Sequence, residues 1–380
     1  MKVCIITLHR VKNYGSVLQA YATQVLFNDA GYETEFIDYY RENDTDTYAE
    51  NNLGQNIVNR LIDAKVHRRF HSILSNIVKK MLIPSMKINN YIFNSFVSNR
   101  LKCTEIKYFS YKELVDAVPI ADAFCVGSDQ VWNSIYNGGI LSTYYLDFVQ
   151  PEKIKFSFAS SIGMDNLFET EQDEVQKKLL TFNFVSVREQ SAIKMLKDIG
   201  ITAKRIIDPT LLLPVNKWEL LLKKNNIKYR YILVYVFGIS KDVEKCIKEI
   251  STTLNLKVVR IGTQPYHKLK SGKVSINPSI EEFLTLFYYA DYVITNSFHG
   301  IAFSVNFNKN FTVLLRDNFN YRILDFLELV NLQNRVYQGS DNSVCRQKIN
   351  YKEVNSILDY ERMLSRQYID KVLGKINENE

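Results

Sequence analysis

The first 40 residues confine the fold more tightly than any other stretch of this chain. Residues 3–8 form an apolar run. After the loop His9–Gly15, the residues Leu18, Tyr21, Ala22, Val25 and Leu26 recur at helical spacing until Gly31 stops the helix, and a second strand, Tyr32–Asp38, follows at once. Strand, loop, helix and strand in this order form a βαβ unit, which requires a parallel sheet with helices on its faces. The pattern recurs downstream. Ile120–Val126, Lys155–Ser160, Thr181–Val187 and Arg205–Asp208 read as further strands, and a second series runs through Tyr231–Phe237, Lys257–Ile261, Asp291–Thr295 and Phe311–Leu315.

A chain of 380 residues with 46% apolar content exceeds what one hydrophobic core organises. The expected fold is therefore α/β, with two doubly wound, Rossmann-like domains facing a cleft. The expected division is 1–215 for an N-terminal α/β domain with a helical excursion over 51–118, 216–345 for a C-terminal α/β domain, and 346–380 for a helical segment packing back on the first domain. Ligands of such a pair bind at the carboxyl ends of the strands.

No run reaches the roughly 20 apolar residues that a membrane-spanning helix needs, and the first residues lack a cleavage signature, so a cytoplasmic protein is expected. Five scattered cysteines, Cys4, Cys103, Cys125, Cys246 and Cys345, read as small core residues of a reducing compartment. A net charge of +7 suits an anionic partner such as a phosphorylated substrate or a membrane surface. Nucleic acid is not expected, because the basic residues do not alternate with aromatics in a recognisable module. Over 55–82, Ile57, Leu61, Ile62, Val66, Phe70, Ile73, Leu74, Ile77, Val78 and Met81 trace one helical stripe beside Arg60, Lys65, Arg68, Arg69, Lys79 and Lys80. This is a surface helix packed on the core, or a docking face for an anionic membrane or a lipid-linked acceptor.

Three strand-end loops gather polar residues at one edge of the sheets. Asn13-Tyr14-Gly15-Ser16 with Gln19 is either a capped turn with a positive-φ glycine or a ligand contact. It has neither the glycine spacing of a dinucleotide fold nor a P-loop lysine. Gly127-Ser128-Asp129-Gln130 with Trp132 and Asn133 brings a carboxylate, amides and an indole together, a set suited to sugar hydroxyls. Thr295-Asn296-Ser297-Phe298-His299-Gly300 sets an imidazole at a helix N-terminus, where unpaired N–H groups and the helix dipole favour an anion. Arg188, Arg316 and Arg322 follow strands and offer planar forks for carboxylate or phosphate. His67 and His71 have metal-like spacing without a further ligand, and Asp44-Thr45-Asp46 lacks a flanking strand, so neither a metal nor a cofactor is expected.

With these residues in view, the chain resembles the polysaccharide pyruvyl transferase family over most of its length. The matching stretches are Asn13–Ala22, Gly127–Asn133, Ser186–Ser191, Ile207–Thr210 and Thr295–Gly300, in family order. The resemblance implies a fold similar to the two-domain GT-B glycosyltransferases. It also implies a reaction in which phosphoenolpyruvate gives its pyruvyl group to two hydroxyls of a sugar, forming a cyclic ketal on a bacterial-type surface polysaccharide or its precursor. By the same resemblance His299 and Arg188 belong to the donor site. At one place the chain departs from the family, where members often carry Arg two positions before the histidine and this chain has Ser297. Arg316 or Arg322 is the expected replacement.

The site is accordingly expected to hold His299 as general acid and Asp129 as base or hydroxyl anchor. Arg188, Ser297, Gly300, Arg316 and Arg322 are assigned to the donor. Asn13, Tyr14, Gln19, Ser128, Gln130, Trp132 and Asn133 are assigned to the acceptor, which is lipid-linked in one version of this reading, with the protein peripheral at the inner membrane face. Two alternatives remain open, a GT-B-like glycosyltransferase using a nucleotide sugar and a non-catalytic glycan-binding protein.

Overall fold

The computed structural model describes residues 1–41, 68–238, 241–263, 267, 270–316, 320–339 and 343–377. β1 (Lys2–Ile6) leads through α1 (Tyr14–Asp29) to β2 (Glu33–Tyr39), and α2 (Arg68–Arg100) returns the chain to β3 (Cys103–Tyr108). β4 (Ala123–Val126) and β5 (Ile154–Ser157) complete a parallel sheet of order β3-β2-β1-β4-β5. Beyond β5, the short β6 (Ser186–Val187) and β7 (Lys204–Arg205) pair with each other, and bridges from Phe156 to Phe184 and from Ser160 to Val187 join them to the sheet's edge. In the second half, β8 (Tyr231–Tyr235), β9 (Lys257–Gly262), β10 (Lys273–Ile276), β11 (Tyr292–Thr295) and β12 (Asn310–Val313) form a second parallel sheet of order β10-β9-β8-β11-β12.

In both sheets the order reverses beside the first strand, so a crevice opens at the carboxyl ends of β1 and β4 and again at those of β8 and β11. Two doubly wound sheets presenting these crevices to one cleft make the expected α/β, GT-B-like plan. The central strands lie in the apolar runs that mark them. β3 and β10 were not expected. Both are edge strands, and their sequences, Cys-Thr-Glu-Ile-Lys-Tyr and Lys-Val-Ser-Ile, carry charges where one side meets solvent. The stretch 51–118 therefore holds a sheet strand as well as α2. β6 is shorter than the apolar run before it, because the backbone N–H groups of Thr181 and Phe182 close a turn on the carbonyls of Lys178 and Leu179.

The remaining helices that shape the site are α3 (Ser134–Asn137), α4 (Gln190–Asp198), α5 (Pro209–Leu212), α6 (Ile280–Tyr288), α7 (Phe298–Asn306), α8 (Tyr321–Leu329) and α9 (Tyr351–Asn377). Their starts are set by side chains: Asn13 caps α1, Asp208 caps α5 with Pro209 in its first turn, Ser297 caps α7, and Ser279 with Glu282 forms a capping box on α6.

The largest hydrophobic cluster runs through both halves, from Phe27 and Phe158 past Trp218 to Phe283 and Phe303. Trp218 is fully buried, meets Phe303 edge-on at 5.3 Å, and donates its indole N–H to the Leu213 carbonyl at 3.1 Å. Tyr14 fastens the halves together, stacked on Phe283 at 4.2 Å while its hydroxyl donates to the Pro278 carbonyl at 2.7 Å. α9 crosses back to the first sheet, where the Tyr368 hydroxyl donates to the Ser157 carbonyl at 2.9 Å and Glu361 pairs with Arg205.

Of the basic stripe read over 55–82, only the part from Arg68 onward is described, as the start of α2. The remainder, with His67 and the Asp44–Asp46 pair, lies outside the described residues. Among the described residues no helix is long and apolar enough to cross a membrane, and no three His, Cys, Asp or Glu side chains are placed to hold a metal ion. All five cysteines are free thiols.

Candidate active site

The carboxyl ends of both sheets open on a cleft of about 560 Å³. Asn13 and Ser16 line it from the start of α1, and Asp129, Gln130 and Asn133 from the loop after β4. From the other side come Ser297, His299, Arg316 and Arg322. Two helices begin here, α1 with Asn13 accepting from the Gly15 N–H at 2.8 Å and α7 with Ser297 accepting from the Gly300 N–H at 3.4 Å. Both N-termini bring partial positive charge to the same space.

His299 sits between the two halves. A Cβ built on Gly15 would lie 1.9 Å from its Nδ1 and 2.2 Å from its Cγ, so the first turn of α1 can approach the ring only because residue 15 has no side chain. Gly15 does not adopt a positive φ. Its role is space, which corrects the turn interpretation. On the other side of the ring, Nε2 lies 3.6 Å from Asp208 Oδ2, an ion-pair separation rather than a hydrogen bond, and is sealed from solvent.

Asp208 was absent from the expected site, yet it is the hub. Fully buried, it accepts from Arg188 Nη1, from Ser128 Oγ at 3.3 Å, and from the Thr210 N–H at 2.9 Å and hydroxyl at 2.7 Å. Burial opposes its charge, but the His299, Arg188 and Thr210 contacts outweigh burial and hold the carboxyl far below the usual carboxylate range. The signal in the sequence was Asp-Pro-Thr, a cap followed by a first-turn proline; the cap and the ion pair use the same carboxylate.

Asp129 has φ 77°, a left-handed conformation that turns the chain sharply after β4 and aims its side chain into the cleft. Its carboxylate accepts from the Ser16 hydroxyl and from the Gln130 N–H at 2.9 Å. Burial again opposes the charge, and His299, Arg188 and Ser16 lower the pKa below its ordinary value, so the group is a carboxylate.

The arginines divide. Arg188 is buried, paired with Asp208 and Glu189, and covered by the Phe298 ring, whose centroid is 4.5 Å from its Cζ. It lines a separate cavity of about 20 Å³ together with Phe298, and its Nη2 and Glu189 Oε2 have no hydrogen-bond partner among the described residues. Burial opposes its charge and Glu189, Asp208 and Asp129 sustain it. Arg322, on α8, lines both this cavity and the cleft. Burial, with Arg188 nearby, pushes its pKa down to about 10, and its Nε has no partner among the described residues. Arg316 lines the cleft from an exposed position.

Four residues assigned to the acceptor do not line the cleft. Tyr14 is held against Phe283 in the contact between halves. Gln19 is fully buried, donating to Thr7 Oγ1 at 3.0 Å and to the Ser16 carbonyl at 2.9 Å. Trp132 stacks on Tyr145 at 5.7 Å and donates to the Tyr144 carbonyl, and Ser128 is buried beneath Asp208. Gly300, assigned to the donor, is a packing glycine: a Cβ there would be 2.2 Å from Thr295 Oγ1. Asn13, Gln130 and Asn133 do line the cleft, joined by Asn296 of the third polar loop and by Phe237 and Tyr136, which the motifs did not single out.

A sequence model of the family described as polysaccharide pyruvyl transferase matches residues 13–318. No protein of curated function matches the chain in sequence. By structure the chain is similar to UDP-GlcNAc 2-epimerase from Methanocaldococcus jannaschii in complex with UDP-GlcNAc and UDP (14% identity, 99% of this chain and 100% of that one, TM-score 0.48). It is also similar to UDP-N-acetylglucosamine 2-epimerase from Rickettsia bellii (11% identity, 100% and 97%, TM-score 0.49) and to the glycosyltransferase SnogD from Streptomyces nogalater (11% identity, 99% and 99%, TM-score 0.40). These three likenesses are distant and bear on none of the chain's activity. With residues 13–318 matched and its motifs in family order, the chain belongs to the polysaccharide pyruvyl transferase family.

Proposed function

We propose that the protein transfers the pyruvyl group of phosphoenolpyruvate to two hydroxyls of a sugar in a surface polysaccharide or its precursor, forming a cyclic ketal and releasing phosphate. Membership makes it a transferase with a sugar acceptor. The observation that supports the donor and the chemistry is the setting of His299. Its Nε2 faces Asp208, its Nδ1 lies against Gly15, and both helix N-termini and two arginines share its cleft.

In this reading Asp208 orients the ring through Nε2, so Nδ1 is the nitrogen that exchanges a proton with the ligand. Nδ1 protonates the methylene carbon of phosphoenolpyruvate, and the central carbon becomes electrophilic. One sugar hydroxyl adds there while Asp129, as a carboxylate, receives its proton. Phosphate then leaves by cleavage of its bond to the central carbon, and the second hydroxyl adds to the resulting oxocarbenium ion to close the ketal, its proton leaving with the phosphate while the proton held by Asp129 restores His299. Arg322 and Arg316, with the N–H groups at the starts of α1 and α7, hold the donor's carboxylate and phosphate, and Arg188 supports Asp208 from behind Phe298. Arg322 thereby takes the place of the family arginine missing at Ser297.

Thermal melts test the donor without knowledge of the acceptor. Phosphoenolpyruvate at 100 times its dissociation constant is expected to stabilise the protein by about 2.7 kcal/mol, and Arg322→Ala to abolish that shift. Stabilisation by UDP- or GDP-sugars alone would move the protein to the glycosyltransferase reading, and no shift with any ligand to the non-catalytic one. The finer proposal of a lipid-linked acceptor and a basic stretch 55–82 contacting the membrane is tested by sedimentation with anionic vesicles at low salt; failure to sediment removes it.

A further inference from the structure

The cleft has two chemically different ends. The cations Arg316 and Arg322 lie toward α8, whereas three large apolar side chains elsewhere along the walls are partly exposed: Ile135 at 52% exposure, Tyr136 at 44% and Phe237 at 38%. A single exposed apolar residue is ordinary, but three lining one polar cleft are not. Nor are they on loose supports. The Tyr136 N–H donates to Asn133 Oδ1 at 2.8 Å, and the Arg41 guanidinium, itself donating to Asn137 Oδ1 at 2.6 Å, lies 5.0 Å from the Tyr136 ring centroid. Phe237 is clamped through both backbone groups by one side chain, donating to Asn296 Oδ1 and accepting from Asn296 Nδ2, each at 2.8 Å, and its ring meets Tyr235 edge-on at 5.2 Å. Both aromatic rings are thus fixed in place while a large part of each stays in contact with solvent.

A pyranose ring matches this surface. It carries a face of C–H bonds that packs on an aromatic ring and a rim of hydroxyls that needs amides and carboxylates. Asn133, which holds Tyr136, and Asn296, which holds Phe237, both line the same cleft, so each ring comes with a polar neighbour fixed by its own backbone bonds. Resting on the reading that this cleft handles a sugar acceptor, we infer that Tyr136 and Phe237 form the acceptor subsite, binding the C–H face of a neutral pyranose, one ring supplied by each half of the molecule. Ile135 extends the apolar surface from α3. The donor then occupies the arginine end, and Asp129 stands where the acceptor's hydroxyls enter.

The test is saturation-transfer difference NMR on the full chain with the methyl glycosides of glucose, galactose, mannose and N-acetylmannosamine. At least one is expected to receive saturation, strongest at the C–H protons of one ring face. Tyr136→Ala and Phe237→Ala should each reduce it at least threefold, and Tyr136→Phe should retain it. Absence of transfer to every glycoside, or transfer unchanged in both alanine variants, overturns the inference. The thermal shift with phosphoenolpyruvate is recorded on the same samples. Its persistence in Tyr136→Ala shows a folded donor site and attributes the lost sugar signal to the ring. Its absence in the parent protein together with ring-dependent sugar binding would sink the donor proposal and leave the acceptor subsite standing.

Discussion

Gly15→Ala is the substitution that most directly tests how the site is built. The added Cβ would lie 1.9 Å from Nδ1, 2.2 Å from Cγ and 2.4 Å from Cε1 of His299. Ordinary carbon contacts need about 3.5 Å, so the ring or the helix must retreat by roughly 1.5 Å. The ring has little room to go, with Asp208 3.6 Å from Nε2 and Phe298 edge-on at 5.3 Å. If the ring moves, a displacement of about 1 Å at a reacting group costs on the order of 100-fold in rate. The overpacking should cost about 1–3 kcal/mol of stability. Alanine favours helix over glycine by up to about 1 kcal/mol, which offsets part of that. A double-mutant cycle separates the two terms. In a His299→Ala background the obstruction is gone, so adding Gly15→Ala there should be neutral or stabilising by up to about 1 kcal/mol. Denaturant melts of the four proteins, with phosphate release measured on the parent and Gly15→Ala, read both effects. Additive stabilities, or a Gly15→Ala protein with parental turnover, would refute the argument that this glycine exists for the imidazole.

Arg322→Met should stabilise the ligand-free protein, because burial pushes the guanidinium pKa down to about 10 and the charge is held at a cost of up to about 3 kcal/mol; a lower melting temperature than the parent's would contradict this. Asp208→Asn should destabilise by about 3–5 kcal/mol by leaving Arg188 under-compensated. The folded pKa of Asp208 lies below its unfolded value, so its contribution is fully present above about pH 4 and is lost as pH falls. Titrated denaturant melts should then show an acid slope shallower in Asp208→Asn by up to about 1.4 kcal/mol per pH unit, and identical slopes would remove the assignment. Tyr14→Phe should cost about 0.5–1.5 kcal/mol through the hydrogen bond to Pro278 and Tyr14→Ala about 3–5 kcal/mol through the stack on Phe283 as well. Equal melts for the two would show that the stack contributes nothing.

The central strands and the placement of His299 at a helix start were legible because both are local: an apolar run of strand length, and a polar turn followed by helical spacing. Asn13, Asp129, Gln130 and Asn133 were legible as strand-end polar residues for the same reason. Their neighbours were not separable. Tyr14 and Trp132 sit one residue from cleft-lining asparagines, and a step of about 100° around a helix, or one residue along a turn, sends the side chain into the core instead. Asp208 was hidden because a cap and a buried ion pair use the same carboxylate, and only tertiary contact distinguishes them. Gly15 read as a turn residue since the histidine it accommodates lies in the other half of the chain. Tyr136 and Phe237 carried no motif, and their exposure follows from where the two walls meet.

The approach of Gly15 to His299 also decides how this protein can be divided. The imidazole belongs to one half, and its berth on the helix side belongs to the other, next to the tyrosine that fastens the halves together. Any motion that parts the halves withdraws the helix from the ring at the same moment, so the setting of His299 is complete only while the halves are together. The two halves expressed separately would each expose part of the hydrophobic cluster they share, and neither would reproduce the surroundings of His299. A chimera that borrowed one half from a relative would have to match, at a single glycine, the ring that the other half presents.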